Sequence, residues 1–107
     1  MNKIVTLGNA VEMNAKYPDT FEVPSADTIS EVSLGEDVKL CFKYDGDNLL
    51  PNRNEAGIQC DSERMWVTVI KKDGNNWVGT IDNDPVSPLL KYGEEVHFHT
   101  SNIYATQ

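Results

Sequence analysis

Basic residues are scarce in this chain: 9 Lys and Arg stand against 17 Asp and Glu, a net charge of −8 over 107 residues. Such a surface repels phosphate backbones and anionic lipid, which argues against nucleic acid and membranes as partners. Long apolar runs are also missing. Nothing approaches the roughly 18 consecutive apolar residues of a bilayer-spanning helix, and the opening MNKIVTLGNAVEMNAKY is too polar for an export signal. A cytoplasmic location is expected. Cysteine is reduced to Cys41 and Cys60, with no C-x-x-C and no Cys/His spacing that builds a zinc site, and in a reducing compartment both are expected to remain thiols. No G-x-S-x-G, H-E-x-x-H or P-loop occurs, so nothing in the sequence demands an enzyme or a cofactor.

What is present is the material of one soluble domain spanning 1–107, at 39% hydrophobic and 24% charged residues. Residues 1–24 are weakly patterned; Ile4, Val5 and Leu7 suit a short edge strand, and Ala10 to Tyr17 a short helix before Pro18. Ser25 to Ser33 predicts a second short helix, with Ser25 as cap, Asp27 in its first turn and Gly35 as a left-handed exit.

From Val38 to Tyr44 the pattern has period two, with Val38, Leu40, Phe42 and Tyr44 on one side and two lysines on the other. The polar stretch 45–62 reads as an exposed, mobile or functional loop. Arg64 to Lys71 and Asn76 to Ile81 are rich in β-branched and aromatic residues around Gly74 and Asn75, which predicts a β-hairpin. Ser87 and Pro88 are read as starting another short turn of helix, Glu95 to His99 as a strand with Val96 and Phe98 inward, and Ile103 and Tyr104 as a closing strand. The expected fold is α+β, mainly β: a small bent antiparallel sheet or SH3-like barrel with one or two short helices.

The segment Val32 to Leu40 is echoed by Leu90 to Phe98: an apolar residue precedes Gly, acids follow, and Val opens a strand. The echo is read as one local device used twice rather than as a duplicated domain.

The run Glu63, Arg64, Met65, Trp66, Val67, then Gly79, Thr80, Ile81, Asp82, Asn83, Asp84, Pro85, then Leu90, Lys91, Tyr92, Gly93, Glu94, Glu95, Val96, His97, Phe98 resembles a bacterial family, domain of unknown function 2314. Its pattern is E-R-M-W-V, then G-x-L-D-N-x-P, then L-x-x-G-D-x-V-x-F, and the likeness covers residues 36–104. This chain has Ile81 where Leu is usual, Glu94 where Asp is usual, and Ala105 near where an aromatic often ends the domain. The resemblance implies no reaction; it implies a small module sometimes met beside toxin and immunity genes.

The candidate contact residues are Arg64, Trp66, Trp77, Asp82, Asn83 and Asp84. An Arg64 pair with Asp82 or Asp84 would pin the exit of the hairpin, more as a structural clamp than as a ligand site. An exposed indole at Trp66 or Trp77 beside acidic loops would suit a protein interface. Glu95, His97 and His99 share a strand face but are too few to hold a metal without further ligands, and Asp45 to Asn48 fails the calcium-loop pattern because Leu49 and Leu50 follow. The expected function is therefore non-enzymatic: an acidic protein-binding module, of immunity or inhibitor type, that neutralises a basic protein partner. The alternative is a small-molecule site or enzyme around Arg64, Asp82 and Asn83.

Overall fold

The computed structural model describes residues 5–17, 23–44, 49–50 and 61–107. Within them the chain forms six strands, β1 (Val5–Leu7), β2 (Asp37–Tyr44), β3 (Ser62–Asp73), β4 (Asn76–Ile81), β5 (Glu95–His99) and β6 (Ile103–Thr106). Two short helices, α1 (Ala10–Lys16) and α2 (Ala26–Ser30), complete the regular structure with a 3-10 turn at Thr100–Asn102. The fold is mainly β, as expected: the antiparallel order β1-β2-β3-β4-β5 makes a curled half-barrel, and β6 is an extra strand beside β2. No helix among the described residues is long and apolar enough to cross a membrane.

The curl follows from chain length. In a flat sheet, β6 and β5 would lie four strand spacings apart, roughly 19 Å. The three residues of the 3-10 turn that joins them reach only about 6 Å. The sheet must therefore bend until its two sides approach, and it bends around the side chains of one face. Val38, Leu40, Phe42, Met65, Val67, Val69, Trp77, Ile81, Phe98 and Ile103 are all buried there. Period-two alternation selects that set, because successive side chains of a strand point to opposite faces. At Gly79 the inner face has no room for a side chain: an added Cβ would lie 2.4 Å from Val67 Cγ1 and 2.7 Å from the Thr68 carbonyl oxygen. The hairpin closes through the two-residue turn Gly74–Asn75, and a bulge between Val69 and Lys71 adds twist in β3.

Several expectations are corrected. The second helix ends at Ser30, not Ser33; Ser25 does cap it, accepting from Thr28 N–H at 3.1 Å, but Val32 is drawn into the core and the chain leaves the helix to follow it. The segment at Ser87 and Pro88 is a turn rather than a helix, with Ser87 Oγ accepting from Leu89 N–H at 3.1 Å. Of the stretch 45–62, residues 45–48 and 51–60 lie outside the described residues, but Leu50 is 2% exposed and belongs to the core, so that stretch is not all surface loop. The outer face of β2 is not a simple solvated lysine face either. Cys41, between Lys39 and Lys43, is buried in a second cluster with Ala10 and Tyr104, against which Met13 of α1 packs. Cys41 is a free thiol. Cys60 lies outside the described residues.

The echo is a structural identity. In Ser33–Glu36 and in Lys91–Glu94 the fourth N–H donates to the first carbonyl at 3.1 Å. The third residue is a glycine at positive φ, 92° for Gly35 and 79° for Gly93, the type II pattern that only glycine adopts cheaply. Each turn is tied by its own glutamate: Ser33 N–H donates to Glu36 Oε1 at 2.7 Å, and Lys91 N–H to Glu94 Oε1 at 3.1 Å. Each also docks on the hairpin by the same pair of bonds. Gly35 N–H donates to Val69 O and Val69 N–H to Glu36 O; Gly93 N–H donates to Ile81 O and Ile81 N–H to Glu94 O. Asp37 then pairs with Thr68, Glu95 with Thr80, and Thr68 with Thr80 across the hairpin. The two copies are related by a local two-fold between those threonines.

Candidate functional site

Alternation along β3 assigns odd residues 63–69 to the inner face and Arg64, Trp66 and Thr68 to the outer one. Trp66 is half-buried there, and the Lys39 ammonium stands over its ring at 4.7 Å from the centroid. Its backbone brackets the exit of the hairpin: Trp66 N–H donates to Asn83 Oδ1, and Trp66 O accepts from Asp82 N–H at 2.9 Å. Trp66, Asp82 and Asn83 are thus brought together. Asp84 lies near enough to act, with Asp82 and Asp37, on the exposed phenol of Tyr92.

This exit is also held by a clamp on its inner side. The Arg64 guanidinium leans the other way, 5.4 Å from the centroid of the Tyr104 ring on β6, while Asp82 Oδ1 accepts from Tyr92 Oη at 3.1 Å. What pins the segment is Glu63, one residue earlier and therefore on the inner face. Its carboxylate accepts from Val86 N–H at 2.9 Å and Ser87 N–H at 3.1 Å, and from the Tyr44 hydroxyl at 2.8 Å. Burial, reinforced by that carboxylate, pushes the Tyr44 phenol well above its ordinary range, so it serves as a fixed donor. Sequence reasoning placed a clamp at this end of the hairpin on Arg64 and did not single out Glu63.

Trp77, the other indole expected to meet a partner, is 2% exposed and belongs to the core. It packs edge-on to Phe98 with centroids 6.2 Å apart, and its Nε1–H donates to Gly74 O at 3.0 Å. A groove of about 330 Å³ runs past its edge between α2 and the hairpin turn, lined by Ala26, Ile29, Ser30, Lys72 and Asn75. The ammonium in that groove is occupied: Lys72 Nζ donates to Val32 O at 2.6 Å and Ser30 O at 3.3 Å, and stands 4.8 Å from the Trp77 centroid. It thereby caps the last carbonyl of α2, at Ser30, and the carbonyl of Val32 just beyond the helix.

Asp37 and Tyr92 were not among the residues expected at the site. Asp37 is 7% exposed, and its Oδ1 accepts from Thr68 Oγ1 at 2.6 Å. Burial first, then the hydrogen bond and charge of neighbouring Asp82, raise its carboxyl above the ordinary carboxylate range. The hydrogen bond to Asp82 likewise raises the Tyr92 phenol. The echo was the available signal, because it aligns Asp37 with Glu95 at the first residue of each strand. The result is an outer-face patch in which Trp66 and Tyr92 are interleaved with Asp37, Asp82 and Asp84. Among the described residues no group of three or more His, Cys, Asp or Glu is arranged to hold a metal ion; His97 Nε2 instead meets Glu95 Oε1 at 3.0 Å and His99 Nδ1 meets Ser101 Oγ at 2.9 Å.

Compared with protein-family models, with curated proteins and with solved structures, the chain matches none.

Proposed function

We propose that this protein is a non-enzymatic binding module whose acidic, Trp66-bearing outer face takes a basic protein partner, in the manner of an immunity or inhibitor protein. The observation that carries the reading is the composition of that face: a half-exposed indole and an exposed tyrosine set among Asp82, Asp84 and Asp37, on a chain of net charge −8. Aromatic side chains supply contact area at low entropic cost, and the surrounding carboxylates steer a cationic protein toward them. The likeness of residues 36–104 to domain of unknown function 2314 supports the same reading, since that family implies a module met beside toxin and immunity genes.

The test is co-purification of the tagged chain from its own cells at about 50 mM and about 300 mM salt, beside a Trp66→Ala variant. A basic protein retained by the wild type, weakened at the higher salt and lost from Trp66→Ala is the expected result. Recovery of no basic protein at either salt would overturn the proposal.

A further inference from the structure

β5 ends the sheet, and among the described residues no strand lies on its far side. Which of its backbone groups face outward is fixed at both ends of its ladder. Thr100 N–H donates to Asn75 O, and Ile81 N–H donates to Glu94 O, each at 2.9 Å. Bonded and non-bonded pairs alternate along an antiparallel ladder. Trp77–Phe98 and Gly79–Val96 are therefore the bonded pairs, with Asn76–His99, Val78–His97 and Thr80–Glu95 between them. The N–H and C=O of Glu95 and His97 point away from β4, into the open edge. The row stops at His99, whose N–H donates to Asn102 Oδ1 at 2.8 Å. An exposed edge of this kind is a template for another strand, and Glu-Val-His-Phe-His contains neither the Lys nor the Pro that commonly blunts one.

We infer that β5 is a self-pairing edge, which joins two copies of this chain antiparallel about a two-fold axis at His97. Only one antiparallel register pairs all five residues with their counterparts, and in it the strand is complementary to itself. Glu95 faces His99 of the second copy at both ends, so the acid meets a histidine rather than another acid. Val96 faces Phe98 of the second copy on the inner side, and His97 faces its own counterpart. His97 N–H and C=O exchange bonds across the axis, and Glu95 N–H donates to the His99 carbonyl of the second copy. The two-fold uses the same patch on both copies, and Asn102 ends the row of donors, so the assembly closes as a dimer. Each copy carries a charge of −8, so their mutual repulsion is relieved by salt. That dependence is opposite to the one expected for a basic partner, and the two proposals stand or fall separately.

Sedimentation equilibrium of the full chain, from about 1 μM to about 1 mM at low and high salt, tests the inference. A monomer–dimer equilibrium that strengthens with salt is expected. His97→Pro removes an outward N–H and leaves the β4 ladder intact, so it should be monomeric throughout with an unchanged circular dichroism spectrum. His99→Glu sets acids against each other and should weaken association by at least about tenfold, while adding Glu95→His to it restores the opposed pair and most of the affinity. Should His97→Pro fail to fold, the single and double charge variants decide. A wild type that stays monomeric at the highest concentration and salt, or a dimer indifferent to all three variants, would overturn the inference.

Discussion

Glu63 satisfies three donors from two separate parts of the chain, the Tyr44 hydroxyl and the N–H groups of Val86 and Ser87. A carboxylate in that role costs more to remove than one hydrogen bond is worth, because two of the donors it leaves behind, on Tyr44 and Ser87, belong to buried residues. Glu63→Ala is expected to destabilise by about 2–3 kcal/mol in urea denaturation, and Tyr44→Phe, which removes one donor and leaves the acceptor engaged, by about 1 kcal/mol. Asp37 predicts a pH dependence. A carboxyl whose native pKa is raised holds its proton more tightly folded than unfolded, so its stabilising contribution is complete below the ordinary carboxylate range and is lost as pH rises through the raised value. Asp37→Asn cannot ionise and keeps an acceptor for Thr68. It should match the wild type near about pH 3.5 and become progressively more stable than it toward about pH 7, as read from denaturation midpoints across that range. A wild type that gains on the variant as pH rises would contradict the assigned direction. Gly79→Ala should cost about 1–3 kcal/mol, and Val67→Ala in the same chain should recover little of it, because the Thr68 carbonyl remains 2.7 Å from the added carbon.

At the scale of elements, the recurring unit is a glycine turn and a strand entry, docked once on Val69 and once on Ile81. Both glycines sit at positive φ with open space where a Cβ would be, so replacing either by alanine tests backbone strain without a clash. Gly35→Ala and Gly93→Ala should each cost about 1–2 kcal/mol, and equally, because their turns share hydrogen bonds, docking and φ. The residue just before the glycine is exposed in both, Leu34 at 61% and Tyr92 at 63%. Its neighbours on the hairpin differ, Ile70 following Val69 and Asp82 following Ile81. The same scaffold thus presents an apolar corner on one side and the acidic, aromatic patch on the other.

For the whole molecule the dominant quantity is charge. Seventeen acids on a chain this small repel one another more in the compact state than in the unfolded one, so moderate salt should raise the melting temperature by about a few degrees. A melting temperature that falls between low and moderate salt would mean that attractive pairs, not repulsion, dominate the surface. The same screening should weaken the proposed basic partner and strengthen the proposed β5 dimer.

Alternation, turn residues and capping are local properties, and they made most of the fold legible: the inward sets of β2 and β5, the hairpin at Gly74, Ser25 as a cap, and the repeated glycine turn. What covers an outward face is not a local property. Cys41 reads as one more outward residue between two lysines until α1 lies over it, and Trp77 reads as the equal of Trp66 until the curl of the sheet folds it inside. The clamp at the hairpin exit turned on the same distinction, since a one-residue step along β3 exchanges faces and only the docked chain shows that Glu63 meets it. Strand periodicity and turn chemistry are written in neighbouring residues and are decided by the sequence alone; the choice of partners among residues far apart in the chain was decided by the bending of one sheet around one core.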